Sequence, residues 1–259
     1  MRYAILIEYN GSNYQGWQRQ RHHNTVQAQL EMALSKFANH DIEINVAGRT
    51  DAGVHALGQV ATFDTNAHRH LRSWVVATNS LLPEDIKIKE IVMVNDDFHA
   101  RFSAKARTYH YYLYNGDINS AIFKNIIGYY ARPLNLTKMQ DAAHLLLGEH
   151  DFSAFRTAMC QAKNPVKNLY DINIMKRGLM IRFEFTANSF LHHMIRNIIG
   201  ALVYIGINKL TINSFIQKIK AKDRGAMPPT FMPQGLYLTK IDYEQDVFTP
   251  YISNWIFNL

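Results

Sequence analysis

The sequence has very little cysteine, since Cys160 is the only one among 259 residues. A single thiol cannot form a disulfide within the chain, and it cannot supply the several ligands of a multi-cysteine zinc site. Disulfide-stabilised scaffolds and zinc fingers are therefore excluded. This cysteine usage is typical of the cytosol, and we expect a cytoplasmic protein.

The sequence also lacks an apolar run of the roughly 20 residues that a membrane-spanning helix needs. One of the longest apolar stretches, Ile195 to Ile207, is interrupted by Arg196, Asn197 and Gly200. The first residues lead straight into a strand pattern, and no apolar region followed by a small-residue cleavage site is found there. We therefore expect neither a membrane protein nor a secreted one.

Low-complexity tracts, linker-like stretches and short repeats are missing as well. The chain instead contains 47% hydrophobic residues, with 14 Phe, 14 Tyr and 3 Trp, which is ample for a packed core. Its length suits one large domain or two domains of ordinary size.

The charge balance is basic, with 28 Lys and Arg against 21 Asp and Glu, a formal charge of +7 and a pI near 9.4. Such a balance favours a polyanionic partner that is bound through its phosphates. Charge alone leaves the question open, because many basic proteins bind no nucleic acid.

Hydrophobic periodicity in the first half predicts strands that alternate with helices. The strands are β-rich runs, and the helices carry apolar residues at the spacing of one helical face. The predicted elements are, in order, a strand at 3–9, a helix from Val26 to Phe37, strands at Ile42–Ala47 and Gln59–Asp64, a helix at Leu71–Leu81 and a strand at Ile86–Val94.

The second half repeats this alternation, which predicts an α+β fold of two halves with abutting sheets, residues 1–105 and residues 106–259. The predicted elements are a strand at Thr108–Tyr114, a helix from Thr137 to Gly148, strands at Leu169–Lys176 and Leu179–Ala187, a long helix at Ser189–Ile205, a short helix and a strand at Leu236–Asp242.

The most specific segment for chemistry runs from Gly48 to His55, and it places the carboxylate of Asp51 between a cation, Arg49, and flexible backbone. Two readings are open from the residues alone. An aspartate in a turn flanked by glycines commonly hydrogen-bonds its own backbone. At the end of a strand the same carboxylate can also serve catalysis.

The stretch from Ala47 to Ala61 resembles, residue for residue, the signature of the TruA-type tRNA pseudouridine synthases. Further blocks are similar to that family from residue 9 to residue 238, which is nearly the whole chain. These blocks are Tyr9–Gly11, Tyr14–Gln18 with Gln20, Val26–Gln27, Leu30–Glu31, Asn79 with Leu81–Pro83, Phe98–Ala104, Arg107–Tyr111, Phe190–Asn197 and Gly235–Leu238.

The resemblance implies the pseudouridine synthase fold, in which two α+β subdomains with abutting antiparallel or mixed sheets are flanked by helices around a central basic cleft. It implies isomerisation of uridine to pseudouridine at positions 38, 39 and 40 of the tRNA anticodon stem-loop. The implied partners are tRNA and a second copy of the chain, in a homodimer, with no DNA and no membrane. The reaction is redox-neutral and adds no group, so no cofactor and no metal are expected.

The resemblance also implies roles for three residues. Asp51 is the catalytic carboxylate, which can act as a nucleophile or stabilise a cationic sugar while the glycosidic bond breaks. Attack at C1′, attack at C6 and removal of a 2′ proton all stay open. Arg196 is the basic partner that keeps the aspartate ionised, and Tyr109 stacks on the target base and assists loss of the C5 proton.

Two further residues have ordinary readings beside the functional ones. Arg49 is a candidate for contacting the RNA backbone and filling the gap left by a flipped nucleotide; it is otherwise a salt-bridge partner of Asp51. Leu236 is a candidate for packing against the uracil, although a core leucine is an equally ordinary reading.

The 12 histidines invite a metal hypothesis, which the sequence does not favour. On a helix the adjacent His192 and His193 point about 100° apart, so they do not form a ligand pair. His68 and His70 lie in a basic segment with Arg69 and Arg72, which suits phosphate contact or a plain exposed face.

Two positions depart from the family pattern. Lys167 follows Pro165-Val166 where the family usually has an arginine, so a planar two-pronged contact is lost there. The segment Thr230–Gln234 is bulkier than the small residues usual in the family. Both departures concern the expected pocket wall.

Two rival functions are also compatible with these residues. One is an RNA-binding module that keeps the fold without turnover. The other is a pseudouridine synthase that acts on a different RNA, such as small nuclear or messenger RNA.

Overall fold

The computed structural model describes residues 1–157, 160 and 162–248, which divide into two compact units. The first unit contains Met1–Arg107 and the described residues from Tyr237 onward, and the second contains Thr108–Leu236. Each unit combines β-strands with α-helices, so the predicted α+β class is confirmed.

The first unit is built from strands and helices. Its elements are β1 (Arg2–Tyr9), α1 (Val26–Ala38), β2 (Asn45–Val46), β3 (His55–Asp64), α2 (Leu71–Leu81), β4 (Ile86–Val94) and β10 (Leu236–Asp242). The strand order is β4-β1-β3-β10. Strands β1 and β3 pair antiparallel, as do β1 and β4, whereas β10 runs parallel to β3.

The core of the first unit forms where α2 packs on this sheet. Trp74 of α2 is 1% exposed, and its ring lies 5.3 Å from that of Phe63, 6.1 Å from that of Tyr3 and 4.9 Å from that of Phe37. Burial of such large aromatic side chains is the main stabilising contribution here.

The second unit is also built from strands and helices. Its elements are β5 (Ala106–Tyr114), β6 (Gly128–Tyr129), α3 (Leu136–His144), β7 (Gly148–Asp151), β8 (Val166–Arg177), β9 (Met180–Ala187), α4 (Met194–Gly206) and α5 (Ile212–Lys220). The strand order is β5-β9-β8-β7, with β6 added in parallel beside β5. Strands β7, β8 and β9 pair antiparallel.

Helix α4 is the centre of the second unit, and 11 of its residues are buried. A helix that is apolar nearly all round must be covered on several sides. Here α3 and the short helical turn Ser153–Phe155 both contact α4. Phe155 of that turn meets Phe215 of α5 with ring centroids 6.0 Å apart.

Several predicted elements have the bounds that the sequence indicates. The helix Leu71–Leu81 and the strands Ile86–Val94 and Leu236–Asp242 are confirmed as α2, β4 and β10. The predicted strand Ile42–Ala47 is much shorter, since only Asn45 and Val46 pair with β3.

Two helix predictions are wrong in their bounds. The helix predicted from Thr137 to Gly148 is Leu136–His144, and Gly148, at φ 92°, instead opens β7. The helix predicted at Ser189–Ile205 begins only at Met194, because His193 adopts a left-handed conformation at φ 65° that cannot continue a right-handed helix.

The division of the chain differs from the predicted ranges 1–105 and 106–259. The first boundary follows Arg107, and the chain returns to the first unit at Tyr237. The return has a physical cause: Tyr237 and Leu238 of β10 pair with His55 and Ala56 of β3. Within the described residues, no helix combines the length and the apolar character that crossing a bilayer demands.

Candidate active site

Asp51 lies in the loop that joins β2 to β3 in the first unit. Its side chain is half-buried, whereas the neighbouring Thr50 is buried and Arg49 is exposed. The loop turns tightly, because the N–H of Val54 donates to the carbonyl of Asp51 at 3.2 Å and Gly53 takes the left-handed φ of 75°. The carboxylate therefore sits at the start of a buried strand.

Thr50 anchors this loop to the first strand and to the segment after it. The hydroxyls of Tyr9 and Thr50 hydrogen-bond at 2.7 Å, and the N–H of Trp17 donates to the Thr50 carbonyl at 3.0 Å. Burial raises the pKa of Tyr9 above its ordinary value, so its hydroxyl stays protonated and keeps this bond. Thr50 is thus fixed through both its side chain and its backbone.

Two glycines let the backbone of residues 11–17 approach the loop. A Cβ on Gly11 would lie 2.0 Å from the carbonyl oxygen of Val54, and one on Gly16 would lie 2.9 Å from that of Thr50. Gly11 also donates its N–H to His55 Nδ1 at 3.0 Å. Only glycine allows such contact between backbones.

The base of the loop is held by two further side chains. Gln59, which is fully buried, donates from Nε2 to the Gly48 carbonyl at 2.6 Å. Arg107 donates from Nη2 to the Ala47 carbonyl at 3.2 Å. The loop is therefore tied at Ala47, Gly48 and Thr50 before the chain reaches Asp51. Such support restricts where the carboxylate can point.

Gln59→Leu is expected to lower the free energy of unfolding by about 2 kcal/mol, because it leaves the half-buried Gly48 carbonyl without this donor. It should also lower kcat by about tenfold, since a loosened loop misplaces the carboxylate. Urea unfolding and steady-state kinetics measure the two effects. Gln217→Leu, at an exposed glutamine of α5, is the matched control. Equal kcat values for Gln59→Leu and the control would contradict the positioning role.

Tyr109 lies on β5 in the second unit and is 8% exposed. Its ring meets that of Phe190 edge to face, with centroids 5.2 Å apart. This contact is of the kind that fixes ring orientation in a core. Leu236, at the start of β10, is 5% exposed and is therefore also largely buried.

Arg196 lies in the first turn of α4 and forms two hydrogen bonds with the backbone of Phe231. Its Nε donates to the Phe231 carbonyl at 2.9 Å, and the N–H of Phe231 donates to the Arg196 carbonyl at 3.1 Å. The bond through Nε sets the plane of the guanidinium. Arg196 is thus an oriented cation rather than a mobile surface side chain.

A buried polar network fixes the chain segment that carries Phe231. Asn197, at 0% exposure, donates to the Phe155 carbonyl at 2.7 Å and accepts from Thr230 Oγ1 at 2.7 Å and Arg224 Nη2 at 3.0 Å. Arg224 also donates to the Pro228 carbonyl at 2.9 Å. The orientation of Arg196 therefore depends on residues that are distant in the sequence.

Comparison with known proteins identifies the family. The family described as tRNA pseudouridine synthase matches residues 5–103 and 142–244. The chain belongs to this family. The tRNA pseudouridine synthase family catalyses isomerisation of uridine to pseudouridine, and the chain is accordingly an isomerase.

Individual relatives are similar over almost the whole chain. Proteins named tRNA pseudouridine synthase A include one from Paraburkholderia phytofirmans, 48% identical over 96% of this chain and 92% of that protein. The one from Herminiimonas arsenicoxydans is 49% identical over 94% of this chain and 90% of that protein. The one from Shewanella amazonensis is 45% identical over 98% of this chain and 97% of that protein.

The five site residues predicted from the sequence fall in both units of this pseudouridine synthase. Asp51 and Arg49 belong to the first unit, and Tyr109, Arg196 and Leu236 to the second. Their individual roles stay predictions.

The histidine geometry expected from the sequence is wrong. The rings of His192 and His193 lie 4.1 Å apart, because both precede α4 and are not splayed by a helix. The positions of His192 and His193 therefore no longer argue against a metal. That no metal is needed stays a prediction, and it rests on the redox-neutral chemistry.

The two departures from the family pattern are accommodated locally. Lys167 donates from Nζ to the Asn164 carbonyl at 2.9 Å, and burial lowers its pKa. The bulky Phe231 packs on Tyr111 with ring centroids 5.8 Å apart, and the Tyr111 hydroxyl donates to the Met232 carbonyl at 3.0 Å. The larger side chains are thus built into the unit.

Sequence reasoning missed the residues that support the site. Tyr9, Trp17 and Gln59 lie in blocks that resemble the family, yet nothing in their spacing shows that they hold the Asp51 loop. Asn197 and Arg224 were missed for the same reason. A buried glutamine or asparagine inside an apolar element is the signal that could have drawn attention to Gln59 and Asn197.

Proposed function

We propose that this chain isomerises uridines 38, 39 and 40 of the tRNA anticodon stem-loop, with Asp51 as the catalytic carboxylate. The observation that carries the proposal is the support of the Asp51 loop at Ala47, Gly48 and Thr50. A carboxylate that reacts with one atom of a large substrate must be held in place before the substrate arrives.

The chemistry breaks the bond between uracil N1 and ribose C1′ and forms one between C5 and C1′. The proton on C5 is lost and N1 gains one, so the reaction needs no net donor or acceptor. Asp51 acts while ionised, as a nucleophile at C1′ or C6, as a counter-charge to the sugar, or as the base that removes a 2′ proton. Because C5 loses its hydrogen, tritium at that position reports turnover directly.

The supporting roles in this proposal belong to four residues. Tyr109 stacks on the uracil and assists loss of the C5 proton, and Leu236 packs against the base. Arg196 is the cation that keeps Asp51 ionised. Arg49, which is exposed, contacts the RNA backbone and fills the space of the flipped nucleotide.

The substrate, assembly and compartment follow from the same proposal. The formal charge of +7 favours a phosphate-rich partner such as tRNA. The working form is a homodimer in the cytoplasm, in which the two copies together bind one tRNA. Sedimentation with and without tRNA measures this stoichiometry.

The test uses three tRNA transcripts, each carrying [5-³H]uridine at one of positions 38, 39 and 40 and no other labelled uridine. Purified enzyme is expected to release tritium from all three without added cofactor. A transcript labelled only in the acceptor stem is the matched control. Tight binding without tritium release would instead establish an RNA-binding module, and release only from the control would refute the proposed substrate positions.

A further inference from the structure

An exposed aromatic side chain lies in the first unit, in the loop that leads from β4 to β5. Phe102 is 76% exposed, and the guanidinium carbon of Arg101 lies 5.6 Å from its ring centroid. Among the Phe, Tyr and Trp residues that the structure describes, Phe102 and Tyr170 are the exposed ones. Leaving a phenylalanine ring in water forfeits the stabilisation that burial would give.

The loop that carries Phe102 is rigidly built. His99 Nδ1 accepts from the N–H of Arg101 at 3.0 Å, and the N–H of His99 donates to Ser103 Oγ at 3.0 Å. The Tyr243 hydroxyl donates to the buried Ala100 carbonyl at 2.8 Å. The exposure of Phe102 is therefore imposed by a well-bonded loop.

Arg107 connects this loop to the base of the Asp51 loop. Its Nη2 donates to the Arg101 carbonyl at 2.7 Å and to the Ala47 carbonyl at 3.2 Å. Both carbonyls thus share one donor nitrogen, and Ala47 directly precedes the Gly48–Gly53 segment. The loop that carries the exposed Phe102 ring is therefore joined to the Asp51 loop through the hydrogen bonds of Arg107.

The sequence from Phe98 to Gly116, which contains Phe102, is basic. The sequence contains no Asp or Glu from Phe98 to Gly116. Lys105 forms an ion pair with Glu244 at 3.5 Å. Arg101 is the cation that lies beside the Phe102 ring. In the described part of the chain, Arg101 forms no ion pair with an acidic side chain. An exposed ring next to an arginine is the combination that binds unpaired nucleotides by stacking and phosphate contact.

We propose that Arg101 and Phe102 form an RNA-contact site beside the catalytic loop. The Phe102 ring stacks on an unpaired base, and the Arg101 guanidinium binds a neighbouring backbone phosphate. The inference rests on the proposed function in one respect, since it takes tRNA as the substrate, but it assigns no role to these residues in bond breaking.

Binding is measured by fluorescence anisotropy with a labelled tRNA, in an Asp51→Asn background so that the RNA is not consumed. Phe102→Ala is expected to raise Kd by about tenfold, as loss of a stacked base does. Phe102→Tyr, which keeps the ring, should stay within about twofold. Tyr170→Ala, at an exposed aromatic residue of the second unit, is the matched control and should not change Kd.

Salt dependence separates the two contacts. Arg101→Gln removes one phosphate contact, so the slope of log K against log salt should fall in magnitude by about 0.7 to 0.9. Phe102→Ala should leave that slope unchanged, because stacking releases no counterions. With Asp51 intact, Phe102→Ala should raise KM for tRNA.

Several outcomes would overturn the inference. Phe102→Ala could bind as tightly as the parent, or Tyr170→Ala could weaken binding equally. Phe102→Ala could also change the mass of the RNA-free protein in sedimentation, which would make the ring a contact between copies. Each of these results is independent of turnover. An Asp51→Asn enzyme that retained activity would therefore refute the proposed catalytic role of Asp51, but it would not decide whether Arg101 and Phe102 bind RNA.

Discussion

Asp51→Asn is expected to reduce pseudouridine formation by at least about a thousandfold, the scale on which removal of a catalytic carboxylate acts. The amide has nearly the same shape but carries no charge, so it cannot attack carbon, balance a cationic sugar or remove a 2′ proton. The contacts that hold the loop use Ala47, Gly48 and Thr50 and survive the change. Tritium release from [5-³H]uridine-labelled tRNA under single-turnover conditions measures the rate.

The control for this experiment is Asp41→Asn, at an exposed aspartate of the same unit. It should retain full activity. Both variants should bind tRNA with the affinity of the parent, because the substitution alters one side chain in a loop whose anchors remain. An Asp51→Asn enzyme that released tritium at the parental rate would remove the carboxylate from the mechanism.

Gly11→Ala is the substitution with the largest expected effect on stability. The new Cβ would lie 2.0 Å from the Val54 carbonyl oxygen, a backbone atom that cannot move aside alone. Overpacking of this kind costs up to about 3 kcal/mol and sometimes more. We also expect kcat to fall by about a hundredfold, because relief of the clash displaces the loop that carries Asp51.

Gly225→Ala is the matched control, since its Cβ would meet only the flexible Asp223 carboxylate, at 3.2 Å. We expect its urea midpoint and kcat to match those of the parent. A Gly11→Ala protein with the parental midpoint and kcat would show that residues 11 and 54 do not approach as the structure has them.

Much of the fold follows from local pattern. The helix Leu71–Leu81 and the strand Ile86–Val94 are bounded by Pro83, which cannot continue a helix, and by clear changes in hydrophobic period. These signals are carried by neighbouring residues and need no tertiary information. The corresponding predictions were therefore correct to the residue.

Other boundaries depend on contacts that a local pattern does not contain. The apolar residues from Leu191 onward continue the spacing of α4, yet the helix starts at Met194 because His193 is held at φ 65°. The strand β7 has a polar, exposed sequence and exists because it pairs with β8. Tertiary pairing overrides propensity in both places.

The candidate site also combines residues that the sequence indicates with contacts that it does not. The sequence points to Asp51 through its motif, and the resemblance supplies Tyr109 and Arg196. The bonds that orient these groups join residues far apart in the chain, as between Tyr9 and Thr50 or between Arg196 and Phe231. No spacing rule connects such pairs, so only the folded structure reveals them.

Carbodiimide mapping of total tRNA from a strain that lacks this chain tests both the substrate positions and the role of Asp51. We expect pseudouridine to disappear at positions 38, 39 and 40, the intact chain to restore it, and the Asp51→Asn chain to leave it absent. Unchanged pseudouridine in the deletion strain would refute the substrate positions, and full restoration by Asp51→Asn would refute the catalytic role.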